Sequence, residues 1–532
     1  MPARPTNTVQ RRRAAGGIGW APERHDRTHT TMNDGRQAGR RTAMAVLGLL
    51  LLGVTAAAQQ ADRTAELDTQ LRRIFDEGTY DVPRFGPARW RPDGTGYTTV
   101  ERSTSPAGGW DIVRYEAASG QREVLVASAR LVPSGTTAPL AIADYAWSPD
   151  GRYLLVFTNT ARVWRDNTRG DYWVLDLQSG ALRRLGGGAP ASVLMFAKFS
   201  PDSSRVAYVY DRDIYVEHID DGRIARLTTD GSATIINGTS DWVYEEELQI
   251  RDCFRWSPDG RAIAYWQFDT TGVGSFALIN NTDTLYPVVT HIPYPKVGTT
   301  NSAVRIGIVP ADGGETRWLQ TPGDPRDTYL ARLDWLDAQT VVMQQLNRLQ
   351  NQLDVLLGDA ATGSVRRVFR DTSDSWVDVV DHLWWVDDGR AFLWLSERGD
   401  WRHVYKVPRE GGEPIRLTNF NADALDIAGL DQQRGWLYVT ASPTRPTQRY
   451  LYRARLDGTG VPERVTPGDA PGWHTYDVAP DGRLAFHTFS RADHPPVTDV
   501  VDLETHRSLR VLTDTSALVK TLAPAIQRPL EF

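Results

Sequence analysis

"RWSPDGRAIAYW", residues 255–266, is an aromatic strand end, a Pro-Asp-Gly turn and a second strand. Proline presets φ for a tight turn and glycine supplies positive φ, so the phrase reads as a hairpin. It returns as "RWRPDGTGYTTV" (89–100), "AWSPDGRYLLVF" (146–157) and "KFSPDSSRVAYV" (198–209). Weaker copies are "DWLDAQTVVMQ" (334–344), "WWVDDGRAFLWL" (384–395), "GLDQQRGWLYVT" (429–440) and "DVAPDGRLAFHT" (477–488). The Pro-Asp-Gly residues themselves are turn chemistry and nothing more.

Between these copies lies a second hairpin, as in "YWVLDLQSGALRRLG" (172–186) or "VYKVPREGGEPIRLTNF" (404–420). Eight of the first kind alternate with eight of the second. Two hairpins per period make one four-stranded blade, so the spacing predicts an all-β fold, an eight-bladed β-propeller over 85–515. Residues 59–84, with "AELDTQLRRIFDEG" (65–78), are expected to hold a short N-terminal helix and linker. The fourth period is longer than the others, with an insertion around 278–301, and insertions in repeat proteins map to loops or added hairpins.

Composition agrees with this reading. Eighteen Trp, 19 Tyr, 45 Gly and 31 Pro in 532 residues suit strands joined by many turns. Residues 1–42 carry nine Arg against three acids, so the rest of a chain of net charge -6 is distinctly acidic. It lacks the basic patch that a phosphate backbone demands, and no nucleic-acid partner is expected. Cys253 is the single cysteine, which excludes an intramolecular disulfide. The ten His are scattered without metal-ligand spacing, so no metal or cofactor is expected.

"AMAVLGLLLLGVTAAAQQ" (43–60) follows Arg40 and Arg41. A basic flank, a short apolar run and Ala56-Ala57-Ala58 predict a secretory signal within 1–58 and export to the periplasm or beyond. The alternative is an uncleaved anchor in the inner membrane, although the run is shorter than the roughly 20 residues a span wants. Met32 gives a more ordinary leader than Met1.

"TSDWVYEEELQI" (239–250) sets three glutamates after two large aromatics, as a short helical turn capped by Ser240 or Asp241. Acids near a helix start are favoured by its dipole, and exposed acids simply stay hydrated. Adjacent carboxylates also repel one another, a cost that an ammonium ion would relieve. The residues alone leave both accounts open.

"TSDWVYEEEL", "RWSPDGRAIAYWQFD" (255–269) and "YPKVGTTNSAVRIGIV" (294–309) together resemble the dipeptidyl peptidase IV group of the prolyl oligopeptidase family. The likeness runs over essentially the whole chain after the signal. It implies a propeller that covers an α/β-hydrolase domain. It implies that Glu246 and Glu247 bind the free α-amine of a peptide, with Asp241, Trp242, Tyr244 and Glu245 as the supporting motif. The Trp164-Arg165 pair of "ARVWRDNTRGDYWVLD" (161–176) then falls where an arginine holds a substrate carbonyl. Read without the resemblance, Arg165 is a surface residue at a strand end. The implied partners are peptides with a free N-terminus and proline or alanine second, and a homodimer through 278–301.

Such a peptidase needs a serine in a G-x-S-x-G elbow, then Asp and His. No G-x-S-x-G occurs; "GVGSF" (272–276) has the wrong spacing. Residues 516–532 resemble the start of a linker toward the hydrolase domain, which is expected to be missing or separate. The expected function is substrate gating for a secreted serine-type dipeptidyl peptidase, with no catalytic residue in this chain. The alternatives are a stand-alone periplasmic propeller that captures peptides, or a scaffold.

Overall fold

The computed structural model describes residues 63–522. The signal-like stretch 43–60 and residues 523–532 lie outside that range. The chain divides into two units, 1–81 and 82–532. In the first, helix α1 spans 63–75, and Arg72 pairs with Asp68 one turn away at 3.0 Å. Among the described residues, no helix is long and apolar enough to cross a membrane.

The second unit is built from antiparallel sheets in sequence order, eight blades in all. They cover 88–126, 144–184, 194–226, 235–318, 328–372, 384–416, 424–464 and 473–511. Each repeated turn joins the first strand of a blade to the second. The Ser-Pro-Asp-Gly form explains its own recurrence. Ser257 Oγ donates to Asp259 Oδ1 at 2.6 Å and accepts the Ala262 N–H at 2.9 Å, while Gly260 sits at φ 70°. Serine, aspartate and glycine thus satisfy the turn's polar groups locally.

Inner strands are apolar on both faces because successive side chains meet different neighbours. Leu154 and Val156 join Ile112 of blade one, whereas Leu155 between them joins Val206 and Tyr208 of blade three. The same sandwiching runs round the molecule and ends where blade eight meets blade one. There Phe486 and Val500 pack with Tyr97, and Trp90 stacks on Phe486 at 4.1 Å between centroids. Trp90 Nε1 also donates to the Asp477 carbonyl at 3.2 Å. The propeller therefore closes through side-chain packing.

Two blades depart from the repeat. In blade two the strands Tyr153–Val163 and Asp166–Asp176 are eleven residues each. The second also pairs with Leu194–Phe199 of blade three, at Arg169↔Met195 and Gly170↔Leu194, fusing two blades into one eight-stranded sheet. In blade four the first strand is split. Ile235–Asn237 and Phe254–Trp256 both pair with Ala262–Asp269, and the bridge Thr239↔Asp252 closes the excursion between them. The glutamate stretch lies in this excursion. The sequence puts it between two blade elements, because a three-residue strand segment such as Ile235–Asn237 leaves no pattern to read. The insertion forms a separate hairpin, Ser275–Asn280 with Val288–Pro293. Helix α3, Ser516–Leu522, follows blade eight.

Candidate functional site

Helix α2, Trp242–Glu246, is only five residues long, and its geometry is fixed from both ends. Asp241 is the N-cap: it accepts the Tyr244 N–H at 3.0 Å and the Ser302 hydroxyl at 2.6 Å. Burial raises the Asp241 pKa, against which those hydrogen bonds hold the charged form. At the other end Gln249 takes a left-handed φ of 56°, and the Ile250 N–H returns to the Tyr244 carbonyl at 2.9 Å. The aromatics anchor the turn. Tyr244 is buried against Phe268, and its hydroxyl accepts the Leu330 N–H of blade five at 2.8 Å. Trp242 packs on Tyr294 (4.2 Å), which in turn meets Phe276 of the inserted hairpin (5.2 Å).

The three glutamates have three different surroundings. Glu245 is buried, and Arg251 Nε donates to its Oε1 at 3.2 Å. Burial raises its pKa, and the Arg251 charge works against that. Glu246 is partly buried and accepts Arg165 Nε at 2.7 Å. Glu247 is exposed, and its carboxylate has no hydrogen-bond or ion-pair partner among the described residues. Its backbone N–H closes the helix on the Val243 carbonyl at 2.8 Å.

Arg165 reaches Glu246 because of the long hairpin of blade two. Trp164 and Arg165 form its two-residue tip, between the paired Val163 and Asp166. Trp164 holds φ at 53°, a left-handed conformation unusual for a bulky residue. Lower in the hairpin, Asp171 gathers the bend. It accepts Asn159 Nδ2, the Ser192 N–H and Arg184, all within 2.9 Å. Burial opposes its charge, yet those donors bring its pKa below the ordinary carboxylate value. The bend leans the tip across blade three to α2. Arg165 is raised in pKa by its hydrogen bond to Glu246 and by the Glu246 charge.

The structure thus brings Arg165 and Glu246 together, puts Glu247 on the same turn, and turns Glu245 to another arginine. Arg251, Asp166 and Asp171 were not singled out from sequence. Arg251 lies only six residues from Glu245, but its other partner, Asp166, is 85 residues away, a distance no local pattern reports. A cavity of about 550 Å³ beside α2 is lined by Trp164, Arg169, Arg212, Trp242, Glu245 and Arg251 among others; Glu246 and Glu247 do not line it. One trio, His218, Asp220 and Asp221, brings three potential metal ligands within 4.8 Å. Two of the three are exposed, and Arg223 already bonds the His218 ring, so nothing there marks a metal centre. Cys253 is buried, with burial pushing its thiol pKa well up.

Residues 148–496 match the family model described as the dipeptidyl peptidase IV (DPP IV) N-terminal region. "Probable dipeptidyl peptidase 4" of Aspergillus flavus is 28% identical over 409 residues, covering 74% of this chain and 52% of that protein. Dipeptidyl peptidase 4 of Trichophyton rubrum is 27% identical over 399 residues, 72% of this chain and 51% of that protein. The crystal structure of Porphyromonas gingivalis dipeptidyl peptidase 4 superposes with a TM-score of 0.76 at 27% identity, over 84% of this chain and 62% of that one. The chain spans about half the length of the curated relatives it matches. With the propeller and the matched span in hand, this chain belongs to the dipeptidyl peptidase IV family, of which it carries the N-terminal region.

Proposed function

We propose that this chain is the substrate-gating propeller of an exported serine-type dipeptidyl peptidase. It binds the free α-amine of peptides with proline or alanine second. Cleavage belongs to an α/β-hydrolase domain outside the described residues. The observation that carries this reading is the Arg165–Glu246 contact beside the unpartnered carboxylate of Glu247. Two carboxylates on one turn suit one ammonium ion, and a guanidinium a few ångströms away suits the next carbonyl. A blocked amine forfeits charge-assisted hydrogen bonds worth about 1.5–3 kcal/mol each, which makes the site selective for free N-termini.

The inserted hairpin supports a homodimer. Ile279, Val288 and Val289 expose half or more of their surface on it, and Leu285 and Tyr286 at its tip are more exposed still. An apolar, solvent-facing arm of this kind favours burial against a second copy.

The test is binding of an Ala-Pro-containing peptide to the purified chain, free and N-acetylated. The reading requires binding of the free form that acetylation abolishes, and no turnover of Xaa-Pro anilides by the chain alone. Equal binding of both forms would overturn it.

A further inference from the structure

Arg251 touches both halves of the site. Its Nε donates to buried Glu245 at 3.2 Å, and its terminal nitrogen lies 2.9 Å from Asp166 Oδ2 at the hairpin tip. Asp166 is the neighbour of Arg165, and Glu245 is the neighbour of Glu246. The guanidinium is therefore a clamp between the two chain segments whose next residues meet as Arg165 and Glu246. Among the described residues the tip is otherwise held within its own hairpin, by the Val163↔Asp166 pairing and by Arg162 Nε donating to the Trp164 carbonyl at 2.9 Å. Arg165 is 73% exposed, and Trp164 beside it is strained and 39% exposed. The Arg251 side chain is only 23% exposed, and its planar fork serves two carboxylates at once.

We infer that Arg251 is a positioning residue that sets the distance between Arg165 and the Glu246–Glu247 pair, and so the register in which a peptide N-terminus is gripped. This rests on the amine-binding role proposed above. Asp166 is the clamp's exposed end and Glu245 its buried anchor, which gives the first glutamate of the trio a use that no ligand contact requires. Without the clamp, the hydrogen bond or ion pair that ties the hairpin tip to α2 among the described residues is that of Arg165 itself, the group that has to be free to meet substrate.

The experiment measures affinity of the full chain for a fluorescent Ala-Pro peptide, free and N-acetylated, by anisotropy, with Tm recorded in parallel. Asp166→Asn cuts the clamp at its exposed end and leaves Glu245–Arg251 intact, so the fold and Tm are retained. It is expected to weaken binding of the free peptide about tenfold, the effect of one misaligned charge-assisted bond, with the acetylated form unchanged. Arg251→Gln is expected to do the same or more, with a lower Tm. Arg251→Lys, which keeps the charge and loses the fork, should stay impaired. If wild type prefers the free amine and Asp166→Asn keeps that preference in full, the clamp is overturned and the amine site stands. If wild type shows no preference, the amine site falls and the clamp with it.

Discussion

Arg165 and Glu246 stand 81 residues apart in sequence and 2.7 Å apart at Nε–Oε1. They come from different blades, and the arginine is 73% exposed where the glutamate is 20% exposed. A pair that open to water adds little to folding. Its persistence has to be explained by what positions it, namely the leaning hairpin and the clamped helix. It also means that one of the two proposed ammonium ligands is already engaged, while Glu247 is not. A bound amine would have to share Glu246 with the guanidinium.

Glu247→Gln is therefore the cleanest lesion. It removes an unpartnered exposed carboxylate, so Tm should not change. Affinity for a free-amine peptide should fall tenfold or more, about 1.5–3 kcal/mol for one charge-assisted hydrogen bond. Arg165→Met should also leave Tm unchanged while lowering affinity. Isothermal titration with paired thermal melts checks both; a Glu247→Gln chain that binds like wild type would remove that residue from the site.

Tyr244→Phe should destabilise the chain without touching either carboxylate. Its hydroxyl satisfies the buried Leu330 N–H at a strand irregularity between Leu330 and Arg332. Orphaning that donor costs about 1–3 kcal/mol. Replacing the cap by Asp241→Ala should cost about 1–2 kcal/mol. It would also strand the Ser302 hydroxyl, which now donates to that carboxylate. Denaturant titration reads both effects, and a neutral outcome for Tyr244→Phe would mean that the bond to blade five is absent.

Gly170→Ala tests the lean of the hairpin. A Cβ at Gly170 would lie 2.7 Å from the Thr158 carbonyl oxygen and collide with the Phe157 ring. The backbone oxygen cannot rotate away, so the strands must part. Overpacking of this kind costs about 1–3 kcal/mol. It should weaken peptide binding as well, because it displaces the tip that carries Arg165. Retained affinity with a lowered Tm would show that the tip does not depend on the bend.

These contrasts mark what could be read from the sequence. The eight blades were legible because turn chemistry is local: Ser257, Asp259 and Gly260 close their turn among themselves. A cap at Ser240 or Asp241 was legible for the same reason, and the structure selects Asp241. Arg165 looked like an ordinary strand-end residue, and only the family resemblance singled it out. The pairing of Gly170 with Leu194 and the Arg251 clamp depend on contacts between blades, and the split first strand of blade four rests on two three-residue segments too short to show a pattern. Periodicity carries no information about those.

The arm gives a prediction of assembly. Ile279 and Val289 are paired across the inserted hairpin and are 65% and 50% exposed. Changing both to Asp leaves the hairpin's backbone pairing intact but puts charge on any interface that it forms. Light scattering after size exclusion should then show a shift from dimer to monomer, with peptide binding unaffected. A wild-type chain that is monomeric at high concentration would refute the arm's role.

The last prediction concerns acid. In blade eight, His474 Nδ1 and His487 Nε2 lie 2.8 Å apart, and His487 Nδ1 lies 2.8 Å from Asp499. His506 Nε2 meets the Tyr476 hydroxyl, also at 2.8 Å. Burial, with the charge of neighbouring His487 adding to it, pushes His474 and His506 down from 6.5 to about 4. Below pH 6.5 the unfolded chain takes up protons at these two rings that the native blade refuses. Their contribution to stability is thus complete above 6.5 and is lost as the pH falls toward 4. Asp499 is shifted the opposite way from its burial, below 3.8, by the His487 and Ser508 hydrogen bonds, so its own loss comes at still lower pH. Tm should therefore fall between pH 6.5 and 4, and His506→Asn should flatten that fall. Asparagine tolerates the left-handed φ of 55° at this position and carries no titrating ring. Because blade eight closes the propeller on blade one, acid should open the ring at this seam first. Hydrogen exchange would locate it: early loss of protection in 473–511 and 88–102 supports the account, and uniform loss across all eight blades contradicts it.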